Sequence, residues 1–427
     1  MNPAEKNNPI VYITRDLERA LGMEPGKGYA IVTNKTPYLE MSQERYSDHV
    51  FSVDPETDPR TMDQETIRIR SLLDTAQLID SPATKAAITK VEAETGKIAE
   101  VLVFKNTSLI EELCKKRHMT LLNPAASLAE KIENKLTQID WLGELGKQFL
   151  IPTSISAMKD VVWQKEPMVV QWAHGHTGDG TILVNSGAEL EELKKKFPDR
   201  VARISRFVVG PSFTMNLVVS STNIHLGNIS YQITGLTPFT ENFFSTVGND
   251  WSLTHTLLSD TEIEEIEDMA REIGLKMLQD GWRGLCGIDL IKDNERNTIH
   301  LVEINARQPA STTLESYLQM ENRKNGIEGI TIFEAHVAAL RGQKISDKII
   351  PVNDGAQIVQ RLTSEVHKIS DEMIGALISA GYKVVPYTNT EKNADLIRVQ
   401  SMRGIMEAHA KLNNRGKNIT EILSKPA

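Results

Sequence analysis

The sequence is poor in cysteine, has no excess of positive charge and contains no long hydrophobic run. Its 427 residues include only Cys114 and Cys286, far apart, in segments predicted to be a helix and a strand. Such cysteines favour a reducing compartment and buried apolar roles over a disulfide or a zinc site. A formal net charge of -9 argues against a protein that follows a nucleic-acid backbone. Because no apolar run could cross a bilayer and the first residues do not resemble a signal peptide, we expect a cytoplasmic protein without membrane contact.

Several familiar sequence patterns are also missing. No G-x-G-x-x-G follows the first apolar strand, and G-x-x-x-x-G-K-[ST] does not occur, which argues against a common dinucleotide site and excludes a P-loop. The absence of a fixed-period repeat excludes a solenoid. At 427 residues the chain is longer than one hydrophobic core usually spans, so we expect two or three domains.

The first part of the chain alternates short apolar strands with helical patterns. Helices are predicted over Thr66 to Thr75 and Ser108 to Arg117. Alternation of this kind is typical of an open α/β domain, with a parallel sheet covered by helices. We expect this domain to form one wall of a substrate pocket. The predicted strands are Ile10 to Thr14, Tyr29 to Thr33, His49 to Val53, Glu100 to Phe104 and Met119 to Asn123.

After Asn123-Pro124 the patterns change. One long helix is predicted over Ala125 to Leu145, ended by Gly146. A smaller α+β unit follows from Ile151. It contains two strands within Pro167 to Val184, a helix over Gly187 to Phe197 and an apolar edge strand over Ile204 to Val209.

The remaining segments mix strands and helices. The β-rich stretches FTMNLVVSS and NIHLGNISYQITG precede a polar aromatic loop around Phe243 to Trp251. A strong amphipathic helix is predicted over Thr261 to Asp280, with Thr261 and Glu264 as its capping box. Helices continue to about Gly342, and the last stretch, Ile350 to Ala427, again mixes strands with helices.

The most informative segment runs from Gly287 to Pro309. Apolar residues alternate around Asp289 and again around Glu303 and Asn305, and turn-forming residues lie between them, so a hairpin is predicted. Antiparallel pairing could bring Asp289 beside Glu303, with Asn305 and Arg307 on the same face. Carboxylate and amide oxygens suit Mg²⁺, and a guanidinium stabilises developing negative charge. The alternative is a surface hairpin with a solvated charged face.

A second segment, VVQWAHGHTGDGTILV, predicts two strands joined by a loop with Gly175, Gly178 and Gly180. Such a loop can point backbone N–H groups at phosphate oxygens, with His176 and Thr177 as further donors. Glycine-rich turns also occur without ligands, and His176 could be an ordinary loop histidine.

The order of these parts resembles that of the ATP-grasp superfamily, whose members hold ATP between two α+β subdomains. The resemblance covers essentially the whole chain. It implies an N-terminal open α/β (pre-ATP-grasp) domain over 1–125, a nucleotide-binding domain over 126–345 and a C-terminal α+β piece over 346–427. A small lid subdomain is implied at about 151–210. The resemblance also implies ATP and Mg²⁺, with Mn²⁺ as an alternative, and leaves a homodimer open.

Individual residues are matched through the motifs ENKLTQ, PMVVQ, GHTGDGT, SRFVVGPSF, GIDLI and LVEINARQP. The resemblance implies that Asp289, Glu303 and Asn305 bind Mg²⁺ and that Arg307 stabilises charge during catalysis. Without this resemblance, Lys135 would be interpreted as an ordinary solvent-exposed lysine on a helix. The implied ATP contacts are Lys135, Gln171, Gly175, His176, Thr177, Gly178, Gly180, Ser205, Arg206, Phe207 and Val208.

The chain departs from the family pattern at two places. Gln171 stands where the family commonly has a lysine, and it can donate a hydrogen bond but supplies no charge. Ser205 or Arg206 stands where a glutamate often holds the ribose hydroxyls. Both changes point to an unusual grip on the nucleotide.

The resemblance implies a ligase that activates a carboxylic acid with ATP, releases ADP and joins the acid to an amine. The alternatives are a biotin-carboxylase-like enzyme, an acid–thiol ligase and a nucleotide-binding regulatory protein without turnover. Gln171 is the feature that keeps the last alternative open. Polar residues proposed to contact the acceptor substrate are Gln232, Thr234, Asn249 and Asp250.

Overall fold

The computed structural model describes residues 7–46, 48–54, 72–173 and 180–424. Within this part of the chain the strands form sheets of five, eight, four and two strands. The predicted helix over Thr66 to Thr75 falls almost entirely outside the described residues. None of the helices in the described ranges is both long enough and apolar enough to cross a membrane.

The N-terminal sheet is entirely parallel, as the alternating pattern predicts, with the strand order β3-β2-β1-β4-β5. Its central strands are buried along their whole length because helices cover both faces. The strands are β1 (Ile10–Ile13), β2 (Tyr29–Asn34), β3 (Val50–Val53), β4 (Glu100–Val103) and β5 (Thr120–Leu121). The helices are α1 (Pro37–Tyr46), α2 (Thr75–Ile79), α3 (Pro82–Thr95) and α4 (Ser108–Lys116).

The single long helix predicted after Asn123-Pro124 is wrong, because two residues interrupt it. Asn134 has an extended backbone, and its side-chain oxygen accepts a hydrogen bond from the Leu136 N–H at 3.0 Å. Gly143 has a φ of 58°, which ends the next helix. The result is three short helices, α5 (Ala126–Glu133), α6 (Thr137–Leu142) and α7 (Glu144–Phe149), and Lys135 lies in the turn between the first two.

A small antiparallel sheet follows, with the order β6-β9-β7-β8 and one helix against it. The prediction of an apolar edge strand over Ile204 to Val209 is wrong, since β9 is an interior strand and ends at Arg206. Besides β7, β9 pairs with β6, a largely polar strand whose sequence shows no apolar alternation. The elements are β6 (Thr153–Ala157), β7 (Met168–Gln171), β8 (Thr181–Val184), α8 (Gly187–Lys196) and β9 (Val201–Arg206).

The central sheet has eight strands in the order β14-β13-β10-β11-β12-β15-β17-β16. The strands of the last stretch of sequence therefore extend the same sheet as the predicted hairpin. These strands are β10 (Ser212–Val219), β11 (Ile224–Thr234), β12 (Thr246–Asp250), β13 (Gly284–Asp293), β14 (Thr298–Asn305), β15 (Ala356–Arg361), β16 (Lys383–Pro386) and β17 (Asp395–Ser401).

Two local predictions in this region are wrong. Part of the expected loop around Phe243 to Trp251 is β12, which gains order by pairing with β11 and β15 on its two sides. The capping box of the long helix is Ser259 with Glu262, so the helix begins at Asp260. The remaining elements are α9 (Thr254–Leu257), α10 (Asp260–Gln279), α11 (Thr312–Lys324), α12 (Ile332–Leu340), α13 (Asp371–Ser379), β18 (Met406–Ala408), β19 (Lys411–Leu412) and α14 (Asn414–Leu423).

The largest hydrophobic cluster lies against the central sheet. Met269 and Ile273 of α10 pack in this cluster with the inward side chains of the central sheet. Both cysteines are buried and unbonded, as the sequence predicts. Burial raises the pKa of Cys114 to about 11 and raises that of Cys286 as well.

Candidate active site

The predicted hairpin is formed by β13 and β14, and its register places Asp289 directly opposite Glu303. Asn305 donates from Nδ2 to Asp289 Oδ2 at 3.0 Å, and Thr214 of β10 donates from Oγ1 to Asp289 Oδ1 at 2.6 Å. A bulge beside this pair leaves Val302 without a cross-strand partner. The bulge lets Val302 and Glu303 line the same cavity, whereas strict alternation would put them on opposite faces.

The two carboxyl groups have opposite electrostatic surroundings. Burial, together with the nearby Glu303 charge, raises the pKa of Asp289 to about 6. Burial alone would raise the pKa of Glu303, but Lys135, Arg307 and Arg203 outweigh burial and lower this pKa below its ordinary value. The closest of these cations is Lys135, whose Nζ lies 2.7 Å from Glu303 Oε2.

The described residues hold no cluster of three or more histidine, cysteine, aspartate or glutamate side chains suited to a metal ion. The predicted metal site instead combines two carboxylates with one amide, Asp289, Glu303 and Asn305. Mg²⁺ commonly binds to one or two carboxylates and takes its other ligands from water and phosphate. The chemistry of this donor set therefore fits Mg²⁺.

Arg307 lies just beyond β14, and Glu133 at the end of α5 holds it in place. Its Nη1 donates to Glu133 Oε1, while Lys105 Nζ contacts Glu133 Oε2 at 2.6 Å. Burial alone would raise the pKa of Glu133, but Arg307 and Lys105 lower it, so the carboxylate stays charged. The sequence offers no pattern that links Glu133 to Arg307.

A cavity between the small sheet and the central sheet, here called the first cavity, gathers most of the predicted ATP contacts. Arg206 is tied there by an ion pair to Asp293. Phe244, from the loop before β12, joins Phe207 at its wall, with ring centroids 6.5 Å apart. The predicted residues that line the first cavity are Lys135, Gln171, Ser205, Arg206, Phe207, Val208, Asp289 and Glu303.

The structure describes only part of the predicted phosphate-binding loop. Gly175, His176, Thr177 and Gly178 lie outside the described residues. The strands on either side of the loop pair as predicted, with Gln171 opposite Thr181. Gly180 has a φ of 88°, and its carbonyl accepts a hydrogen bond from the Trp172 N–H at 2.9 Å.

The structure adds a buried charged residue to the first cavity that the sequence analysis missed. Arg203 of β9 lies opposite Gln171 of β7, and it is 2% exposed. Its Nη1 donates to the Val302 carbonyl at 3.2 Å, and its Nε has no hydrogen-bond partner among the described residues. Burial lowers the pKa of Arg203 to about 10, so the guanidinium remains charged at neutral pH.

A second cavity adjoins the first and shares Gln232, Thr246, Asp289 and Glu303 with it. Asn305 and Arg307 line this second cavity, so the structure brings Asp289, Glu303, Asn305 and Arg307 together at its wall. Three further arginines also reach it from distant parts of the chain, and nothing in their local sequence signals this. They are Arg19, Arg361 and Arg398.

The four residues proposed to contact an acceptor substrate divide into two groups. Gln232 lines both cavities, Thr234 lines the first and Asn249 lines the second. Asp250 lines neither cavity, since successive side chains of a strand point to opposite faces. It is fully buried, and its carboxylate accepts hydrogen bonds from the backbone N–H groups of Ile405 and Met406 at 2.7 and 2.9 Å. Its role is therefore structural.

Comparison with known proteins agrees with this architecture. Residues 132–311 match the family model of the ATP-grasp domain. N5-carboxyaminoimidazole synthetase from Staphylococcus aureus superposes with a TM-score of 0.60 and 11% identity over 98% of each chain. L-amino acid ligase from Bacillus licheniformis superposes with a TM-score of 0.58 and 13% identity over 97% of each chain.

A third similar structure is biotin carboxylase from Campylobacter jejuni, in a complex with an ATP analogue. It has a TM-score of 0.59 and 14% identity over 94% of this chain and 89% of that chain. A search of the curated proteins gave no significant match. At such low identities the superpositions establish a shared fold.

Proposed function

Because residues 132–311 match the ATP-grasp domain and the whole chain shares the fold of ATP-grasp ligases, we propose that this chain is an ADP-forming ligase of that superfamily, which activates a carboxylic acid with ATP and joins the acid to an amine. One observation carries the proposal. The first and second cavities meet at Asp289 and Glu303. ATP in the first cavity and an acid in the second would reach this pair of carboxylates from two sides.

The proposed reaction has two steps. A carboxylate oxygen of the acid attacks the terminal phosphorus of ATP, ADP leaves, and an acyl phosphate forms. The amine nitrogen then attacks the acyl carbon and loses a proton, inorganic phosphate leaves, and an amide results. Such chemistry depends mainly on positioning and on neutralising charge. In this proposal Arg307 faces the acyl-phosphate oxygens, and Glu133 positions Arg307.

Asp289, Glu303 and Asn305 would hold Mg²⁺, and Mn²⁺ suits the same oxygen donors. The register that pairs Asp289 with Glu303 supports this assignment, because it brings the two carboxylates to one face of the hairpin. When bound, the metal ion would supply neutralisation of phosphate charge.

In the first cavity, Lys135, Gln171 and the Ser205 to Val208 segment would contact ATP. Gln171 lacks the charge that the family commonly places at this position. Arg203, directly across from Gln171, supplies a buried guanidinium in its stead. This neighbour favours a working enzyme over a regulatory protein that binds nucleotide without turnover.

The shared fold does not distinguish an amine acceptor from its rivals. ADP release that requires an amine supports the proposal, whereas release that requires bicarbonate and biotin, or a thiol, supports a biotin-carboxylase-like enzyme or an acid–thiol ligase. A screen of ADP release against amino acids, singly and in pairs, separates these outcomes. The proposal includes small-molecule substrates, no nucleic-acid or membrane partner, a cytoplasmic location and, as an open alternative, a homodimer.

Glu303→Gln tests the site directly. The substitution removes a ligand charge with little change of shape, so we expect Mg²⁺-dependent ATP turnover to fall by about a hundredfold or more. ADP release at saturating Mg²⁺ is the measurement. Circular dichroism should show an unchanged fold.

A matched control lies on the same hairpin. Glu295 is exposed in its turn, so Glu295→Gln should retain wild-type turnover. Full activity in Glu303→Gln would contradict the metal assignment, and equal losses in the two variants would point to a general effect on the hairpin.

A further inference from the structure

We infer that the acid bound in the second cavity carries a second anionic group, a carboxylate or a phosphate, and that Arg361 and Arg398 bind this group. The inference rests on the proposed function and names the class of its acid. On this view the reacting carboxylate lies at the edge shared by the two cavities, beside Arg307, and the second anion lies at the wall formed by β15 and β17.

Strand geometry brings the two arginines to the same wall. Gln357, Val359 and Arg361 alternate along β15 and all line the second cavity. On the neighbouring strand β17, Arg398 is the direct partner of Val359, so its side chain shares this face. Arg307 instead follows β14, at the opposite edge of the central sheet. The cavity therefore offers cationic groups at two separate places.

Arg398 is held rigidly by neutral partners. It is 4% exposed, and it donates from Nε to the Tyr387 hydroxyl at 3.1 Å and from Nη1 to Gln357 Oε1 at 3.1 Å. Among the described residues nothing accepts a hydrogen bond from its Nη2. Arg361 is 3% exposed, donates from Nη2 to the Thr246 carbonyl at 2.9 Å and lies 3.5 Å from Asp395. Arg398 thus offers a fixed donor that an anion could bind.

The balance of charge at the cavity surface favours an anion. Arg19, Arg307, Arg361 and Arg398 all line it. Glu133 and Glu18, which contact Arg307 and Arg19, lie behind these arginines and do not line the cavity.

Three carboxylates also line the cavity, and against the four arginines they leave one net positive charge. The carboxylates are Asp289 and Glu303, which the proposed function assigns to a metal ion, and Asp395. A planar guanidinium pairs well with a carboxylate or a phosphate. A neutral occupant would leave the buried Arg398 without an anion to accept from its Nη2, and an unsatisfied buried donor is costly.

The inference predicts a preference between matched substrates. ADP release by the full-length protein with Mg²⁺ and a common amine should be measured for glutarate against its monoamide, glutamate against glutamine, and phosphoserine against serine. In at least one pair we expect the compound with the extra negative charge to be preferred by about tenfold or more in kcat/KM. The pair with the largest preference identifies the second anion as a carboxylate or a phosphate.

Binding gives a readout that does not depend on turnover. Calorimetry with glutarate and with inorganic phosphate, in the presence of Mg²⁺ and a non-hydrolysable ATP analogue, should detect binding of one of them. Arg398→Gln and Arg361→Gln should each weaken this binding about tenfold or more. Arg271→Gln, on the exposed face of α10, is the matched control and should leave it unchanged.

The ratio of kcat/KM for two matched substrates does not depend on how much of the protein is folded. It therefore remains interpretable if a variant folds poorly. If Arg398→Gln does not fold, Arg361→Gln on the neighbouring strand tests the same anion site. Equal treatment of charged and neutral compounds, or anion binding that is unchanged in the arginine variants, would overturn the inference. If acids without a second anionic group support ATP turnover equally well, the proposed function stands and this inference fails. Arginine-dependent anion binding without any turnover would leave the inference standing while the proposed function failed.

Discussion

Among single residues, Arg203 and Gln171 show that a positive charge at the wall of the first cavity can come from either of two paired strands. β7 and β9 run antiparallel with Gln171 opposite Arg203, so the two side chains lie next to each other at the cavity wall. A cation on either strand would reach almost the same point. The absence of a lysine at Gln171 therefore does not leave this wall without positive charge.

Arg203→Gln should weaken ATP binding by about tenfold or more, because a hydrogen bond to a charged group is lost. Adding Gln171→Lys to this variant should recover part of the affinity by returning a cation to the opposite strand. Calorimetric titration with Mg²⁺ and a non-hydrolysable ATP analogue measures both changes. The exposed Lys195 of α8 provides the control, and Lys195→Gln should bind as the wild type does. No loss of affinity in Arg203→Gln would show that this guanidinium does not contact the nucleotide.

Some of the residues that line the two cavities could be predicted from the sequence and others could not, for a physical reason. Asp289, Glu303 and Asn305 belong to one hairpin, so local alternation and a short turn were enough to bring them together. Arg203, Arg361 and Arg398 enter the cavities through pairing between strands that are distant in sequence or far along the sheet. Alternation within one strand cannot reveal which strand lies beside it.

At the scale of elements, a buried carboxylate connects two strands to a helix. Glu315 of α11 accepts hydrogen bonds from Asn216 of β10 at 2.6 Å and from the backbone N–H of Asn228 of β11 at 2.7 Å. It is fully buried. Burial raises its pKa to about 6 from an ordinary value of 4.5, although these hydrogen bonds oppose the shift.

This pKa predicts how Glu315 contributes to stability. The folded state holds the proton more tightly than the unfolded state does, so the contribution is full below pH 4.5 and is lost as the pH rises through about 6. The advantage of the wild type over Glu315→Gln should therefore shrink by about 2 kcal/mol between pH 4 and pH 7. Urea unfolding of both proteins across this range measures the difference. A difference in stability that stays constant with pH would contradict a raised pKa.

The prediction of elements failed where neighbours or single residues override a local pattern. The helix predicted over Ala125 to Leu145 is broken because the Asn134 side chain bonds to the backbone and Gly143 takes a positive φ. β12 was expected as a loop, since its composition is polar and its order depends on strands at both sides. Strongly apolar strands, such as β1, β10 and β13, were correctly predicted because their own composition already reflects their burial.

At the scale of the whole molecule, the N-terminal sheet shares a hydrophobic cluster with the rest of the chain. Phe333 of α12 is fully buried, and its ring lies 6.1 Å from that of Tyr12 on β1. Val385 of β16 packs in the same cluster. The Tyr12 hydroxyl also donates to Gln308, just beyond β14, at 2.7 Å. We therefore expect the N-terminal sheet and the central sheet to unfold together.

Phe333→Ala should lower the free energy of unfolding by about 3–5 kcal/mol, because it removes a large buried ring. All five tryptophans, Trp141, Trp163, Trp172, Trp251 and Trp282, lie outside the N-terminal sheet. Denaturation followed by tryptophan fluorescence and by circular dichroism should nevertheless give coincident transitions. Leu109→Ala, at an exposed site on α4, should change stability by less than about 0.5 kcal/mol. An earlier transition seen only by circular dichroism would show that the N-terminal sheet unfolds by itself.

Cys114 and Cys286 are both enclosed, and their thiols resist ionisation. Since the thiolate is the reactive form, maleimide dyes should react slowly with the native protein. A cysteine engineered on the outer surface of α8 could then be tagged selectively without first removing the natural ones. Two such tags, one on the small sheet and one on the central sheet, would report by energy transfer whether nucleotide changes the spacing of the walls around the first cavity.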